Sequence, residues 1–123
     1  MATFTSFEDI EAWRSARELT REVYRVTRSP PLRADAGLAS HLQRASVSVM
    51  SNIAEGFERG SERDFARFLR IARGSASGVR SQLHVALDVG YVSREVFDDL
   101  NGRAKRVTAM LNGLIRYLQR CTS

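Results

Sequence analysis

Apolar residues recur every three or four positions along this chain, in four blocks divided by short polar or proline-bearing joints. That period is the mark of amphipathic helices. In the first block Ala12, Ala16, Leu19, Val23 and Val26 form a stripe, with Trp13 and Tyr24 at its edge. Ser6 stands ahead of it as a cap, and Glu8 and Asp9 face the positive end of the helix dipole. Ser29-Pro30-Pro31 ends it, since proline lacks an amide donor and disfavours helix in the residue before it. The second block opens at Asp35 and carries Leu38, Leu42, Ala45, Val49 and Ile53 as far as Phe57. The joint from Glu58 to Ser61 is short enough to turn the chain back on itself.

The third block opens with Ser61 and Asp64 in a capping-box-like spacing. It runs Phe65, Phe68, Leu69, Ala72, Val79, Leu83 and Ala86 to Gly90, a residue suited to a left-handed C-terminal cap. Gly74, Ser75 and Gly78 interrupt it, and each mid-helix glycine costs about 1 kcal/mol relative to alanine. Such a cost predicts compensation by a close helix crossing. The fourth block caps at Ser93 and alternates strictly: Phe97, Leu100, Ala104, Val107, Leu111, Leu114, Leu118. The expected helices span roughly 7–28, 36–57, 62–89 and 94–120. Four amphipathic helices with short joints predict an all-α fold, an antiparallel up-down-up-down four-helix bundle forming one domain over residues 1–123.

Composition narrows the setting. No apolar run approaches the roughly 20 residues of a membrane span, so no membrane partner is expected. Met1 to Ser6 lack a basic and then apolar secretory layout. Cys121 is the single cysteine, which excludes an internal disulfide and fits a reducing cytoplasm. It continues the apolar seam of the fourth helix and reads as a small core residue.

Charge adds more. Nineteen basic residues against fourteen acidic ones give a net +5, and all but Lys105 of the nineteen are arginine. Between Phe65 and Leu87 stand Arg67, Arg70, Arg73 and Arg80 with no acid. After Leu100 come Arg103, Lys105, Arg106, Arg116 and Arg120, again with none. The planar guanidinium fork matches phosphate geometry. Arg63, Arg67 and Arg70, at i, i+4 and i+7, put several forks on one face over about 10 Å, and Arg73 extends the series. Arg14, Arg17, Arg21, Arg25 and Arg28 form a second stripe, but Glu11, Glu18 and Glu22 lie beside it and offset it. A single stripe is most often a solvated helix face. Repetition around an assembly axis would add the fields and favour a nucleic-acid backbone.

Catalytic chemistry has little to start from. His41 and His84 lack the glutamate three residues earlier that di-iron bundles use, and no GxxxxGK[ST], GxGxxG or HExxH occurs. No metal, no cofactor and no enzymatic activity is expected. Asn52 and Glu55 stand in the segment Ser51-Asn52-Ile53-Ala54-Glu55-Gly56, before the second joint. Glu55 there either ties helix ends, by pairing with Arg59, Arg63 or the amides opening helix three, or contacts a ligand.

That SNIAEG segment and the downstream FARFLRIARGS, from Phe65 to Ser75, resemble the bacterial four-helix-bundle family of proteins encoded in 23S rRNA intervening sequences. The same family includes the accessory variability determinant of diversity-generating retroelements. The resemblance extends from Phe7 to Leu118. It implies the bundle fold, a homopentameric ring and an accessory role beside a reverse transcriptase. It also marks Asn52, Glu55, Gly56 and Gly74 as motif positions. Ile10, Trp13 and Tyr24, off the first stripe, and Gly102, Ala109 and Gly113, on an outer face of helix four, are the sequence's own support for self-association. The leading expectation is a homo-oligomeric bundle that binds RNA or DNA through Arg63, Arg67, Arg70 and Arg73. The alternatives are a protein scaffold without nucleic acid, and a small-ligand binder using Asn52 and Glu55.

Overall fold

The computed structural model describes residues 4–122. Four α-helices dominate it: α1 (Glu11–Thr27), α2 (Ala36–Glu58), α3 (Glu62–Asp88) and α4 (Arg94–Thr122). Short 3-10 turns at Phe7–Asp9 and Leu32–Ala34 precede α1 and α2. Among the described residues there is no strand, and no helix is long and apolar enough to cross a membrane. Each helix packs on two others: α1 on α2 and α4, and α3 on α2 and α4.

Polar side chains start three of the helices. The carboxylate of Asp35 accepts from the Leu38 amide at 3.1 Å, Ser61 Oγ from Asp64 at 3.1 Å and Ser93 Oγ from Val96 at 3.1 Å. Each satisfies an amide that has no partner within its helix. At the other end of α3, Gly90 takes φ +81° and the Tyr91 amide reaches back to the Ala86 carbonyl at 2.8 Å. A side chain there would be strained, so glycine closes the helix.

The first helix differs from expectation. Residues 7–9 form a 3-10 turn, Ile10 is extended (φ −80°, ψ 119°), and α1 begins only at Glu11. The Asp9 carboxylate accepts from the Thr5 and Ser6 amides and the Thr5 hydroxyl, which holds this turn apart from the helix. These bonds keep the Asp9 carboxyl below its ordinary pKa, the Thr5 hydroxyl contributing most. The kink turns Ile10 inward to 1% exposure, packed with Val49, Ile53 and Leu111. It is core, and its support for self-association falls away.

Along α4 the buried seam follows Phe97, Leu100, Ala104, Val107 and Leu111, then passes to Ile115 in place of Leu114 before reaching Leu118. A straight helix drifts about 20° per heptad, enough to move one seam position by a residue. Cys121 is exposed, one turn beyond the last buried position, so its assignment to the core is corrected. The glycines behave unlike the expectation of close crossing. Within the chain a Cβ on Gly74 or Gly78 would meet nothing within 4 Å. The tight approach is at Gly56 instead, where a Cβ would lie 2.6 Å from the Phe68 Cβ.

Candidate nucleic-acid interface

The motif at the end of α2 fastens the α2–α3 hairpin. Asn52 Nδ2 donates to the Ser48 carbonyl and Oγ at 2.8 and 3.0 Å, and Ser48 Oγ is 2.8 Å from Ser75 Oγ on α3. Gly56 lets Phe65 and Phe68 lie against the α2 backbone. Glu55 accepts from Arg59 at 2.9 Å, and the Arg59 guanidinium covers the Phe68 ring at 4.9 Å. Of the partners considered for Glu55, Arg59 is the one it takes. Both side chains are about half exposed, so the pair contributes little by itself. These contacts give Asn52, Glu55 and Gly56 a packing role.

Phe68 is also the floor of the arginine face. Arg67 also lies over its ring at 4.6 Å and is 3.6 Å from Asp64. Arg63, Arg67 and Arg70 line one shallow hollow with Ser61 and Asp64. Arg63 and Arg70 are exposed and form no ion pair among the described residues. Their charge is therefore available to solution.

Arg73 does not join that hollow. It is half-buried and turned toward α4, where its Nη1 donates to Asn112 Oδ1 at 2.8 Å. Seven residues on, Arg80 Nε donates to Asn101 Oδ1 at 3.1 Å. Both arginines are thus fixed by neutral amides and keep their charge. Lys105 and Arg116 follow Asn101 and Asn112 by four residues each, which places them on the same flank of α4. Both are exposed and without an ion pair among the described residues. The α3–α4 side is accordingly positive at Arg73 and Arg80 on one helix and at Lys105 and Arg116 on the other, and the arginine hollow lies on the neighbouring outer face of α3.

The α1 stripe contrasts with it. Arg25 lies 2.7 Å from Glu22 and Arg21 4.0 Å from the same carboxylate, while Arg14 donates to the Glu8 carbonyl. Arg103 on α4 is shared between Asp99 at 3.3 Å and Glu18 at 3.8 Å. Sequence reasoning missed Asn101 and Asn112. Their available signal was two amides three helical turns apart on α4, opposite two arginines two turns apart on α3.

His41 and His84 are both exposed and on different helices, and the His84 ring meets Phe97 edge-on at 4.8 Å. Among the described residues no three His, Cys, Asp or Glu side chains are grouped so as to hold a metal ion.

The family model described as 23S rRNA-intervening sequence protein matches residues 8–113. A crystal structure of a protein of unknown function from the S23 ribosomal protein family of Bacteroides thetaiotaomicron is similar in fold, with a TM-score of 0.78 at 20% identity. The match covers 85% of this chain and 97% of that one. No curated protein matches the chain.

Proposed function

The chain belongs to the 23S rRNA-intervening sequence protein family, and from that premise we propose that it binds the sugar-phosphate backbone of RNA or DNA, without catalysis of its own. The observation that carries this reading is the uncompensated charge of Arg63 and Arg70, beside an Arg67 held over Phe68. Counterion release from phosphates neutralised by such side chains supplies sequence-independent affinity. On α1, by contrast, Arg21 and Arg25 are met by the Glu22 carboxylate, and Arg14 donates to the Glu8 carbonyl.

The proposal includes an up-down-up-down order of the helices. Supporting it, Thr27 meets Gln43 while Thr20 meets Ser46, and Arg73 meets Asn112 while Arg80 meets Asn101. It includes assembly into a homopentameric ring, as the resemblance implies. The surface best suited to a second copy is the outer side of α2 and α3. Val47 is exposed on α2 and Val85 and Val89 on α3, past the arginine hollow, and Gly78 leaves room for a neighbouring helix. The protein partner proposed with it is a reverse transcriptase, and a gene for one beside this one is the genomic observation that would support it.

A salt titration tests the binding. Replacing Arg63, Arg67 and Arg70 with glutamine removes charge while keeping length and helix propensity. Every phosphate that is no longer neutralised flattens the slope of log affinity against log salt by about 0.7–0.9. The matched triple change of Arg14, Arg21 and Arg25 should leave the slope nearly unchanged. Equal losses of affinity from the two triples, or no binding by the unmodified protein near physiological salt, refute the site and favour a protein scaffold.

A further inference from the structure

We infer that Arg73 and Arg80, held by Asn112 and Asn101, are the fixed jaws of a clamp for double-helical nucleic acid. The two asparagines are positioning residues that orient the guanidiniums without discharging them. This rests on the backbone-binding reading above and names both further residues and the class of ligand.

Three features lead there. An arginine has five N–H donors, and each asparagine oxygen occupies one, Nη1 of Arg73 and Nε of Arg80. The remaining donors and the whole positive charge stay available. An aspartate at either position would hold the same geometry but cancel the charge in an ion pair. Tethering also orders two long side chains before any ligand arrives, which lowers the cost of fixing them on binding.

Spacing is the second feature. Arg73 and Arg80 stand on the flank of α3 turned toward α4, about 10 Å apart at 1.5 Å per residue, and Lys105 and Arg116 extend that flank on α4. At about 3.4 Å of duplex axis per phosphate on one strand, that spacing reaches roughly three phosphates. Cations held at a fixed spacing suit a rigid polyanion. A flexible strand would have to be straightened on them.

The third feature is the lack of a stacking platform. Non-specific single-strand binders seat bases on exposed aromatic rings. Among the described residues the exposed large apolar side chains are Val47, Ile71, Val85, Val89 and Tyr117. The one ring among them, Tyr117, lies beside Phe4, Ile10, Met110 and Leu114, on the α1 side of α4. The His84 imidazole, exposed four residues after Arg80, already meets Phe97 edge-on, so bases splayed from a single strand would find no unoccupied ring on the α3–α4 face.

The experiment compares an RNA hairpin stem with an unstructured RNA of equal phosphate number, by fluorescence anisotropy across a salt series. Four proteins enter it: the unmodified chain, N101D/N112D, R73Q/R80Q, and A34D/A36D. The last adds two carboxylates at exposed positions outside α3 and α4, at the start of α2 and in the turn before it. The stem should bind at least tenfold tighter than the unstructured RNA. N101D/N112D and R73Q/R80Q should each flatten the salt slope for the stem by about 1.4–1.8, the value for two phosphates, and A34D/A36D should not. Should the aspartate variant lose its helical circular dichroism, the R73Q/R80Q variant decides alone. Equal affinity for the two RNAs overturns the duplex assignment. Slopes unchanged from the unmodified chain, or matched by A34D/A36D, overturn the clamp while leaving binding by Arg63, Arg67 and Arg70 intact. Absence of binding by the unmodified chain refutes the underlying reading instead.

Discussion

Adding one methyl group at Gly56 should unsettle the α2–α3 hairpin more than adding it at any open helical glycine. An ideal Cβ there lies 2.6 Å from the Phe68 Cβ, 3.1 Å from Phe65 Cδ1 and 3.4 Å from the Phe65 carbonyl oxygen. Two effects oppose each other. Alanine gains about 1 kcal/mol over glycine inside a helix. Overpacking a filled interior costs about 1–3 kcal/mol. The nearest atom is rooted in the α3 backbone and cannot rotate away, so the helices themselves must part and the cost sits near the upper end. Gly56→Ala should therefore lose about 2 kcal/mol net. Gly102→Ala is the matched control. Its Cβ meets only the Arg106 guanidinium, at an ordinary 3.7 Å, and it should gain up to about 1 kcal/mol. Urea unfolding followed by circular dichroism reads both. With a slope of about 2 kcal/mol per molar urea, Gly56→Ala lowers the midpoint by about 1 M. Protein concentration must be matched, since the proposed assembly would couple to stability. A Gly56→Ala midpoint equal to or above the unmodified one would refute the close-approach argument.

Two further outcomes follow from other contacts. Val85→Glu with Val89→Glu places charge on the outer side of α3, and light scattering should then report a monomer where the unmodified protein reports several subunits, five by the proposal. A monomer in both refutes the assembly, and an intact oligomer in the double variant moves the interface elsewhere. The Tyr91 hydroxyl donates to Asp35 Oδ2 at 3.1 Å, and that bond, followed by the carboxylate's charge, raises the phenol pKa. A pKa raised by folding gives stability that is present below the unfolded value and lost as pH rises through the folded one. Unfolding midpoints should thus fall more steeply above about pH 10 in the unmodified protein than in Tyr91→Phe, and parallel curves would refute the link.

Periodicity and capping chemistry made the helices legible, because burial and unpaired amides both act within one turn. Asp35, Ser61, Ser93 and Gly90 mark ends that the structure places within a residue or two of expectation. The kink at Ile10 was not legible, since Phe7 to Asp9 fit a helical period as well as a 3-10 turn. What separates them is a set of bonds to one carboxylate. The glycines were misread for a related reason: propensity registers a cost at Gly74 and Gly78 but not what stands opposite. Gly56, at the end of the motif, carries the close approach expected of them. Of the arginine face, Arg63, Arg67 and Arg70 were legible from spacing alone. Arg73 was not, because its direction is set by Asn112, a partner on another helix.

Both tethering asparagines are followed by glycine, as Asn101-Gly102 and Asn112-Gly113. In such pairs the glycine nitrogen can attack the side-chain amide, expel ammonia and leave, after hydrolysis, an acidic residue. Closing that ring requires a backbone shape the α-helix does not supply, so α4 shields both sites while it stays wound. Local opening of α4 removes the shield. The product would set a carboxylate against Arg73 or Arg80 and reverse the neutrality that leaves them charged. Chemical ageing of this protein is therefore governed by how often its last helix unwinds, and each event would erase part of the positive face without any change in the gene.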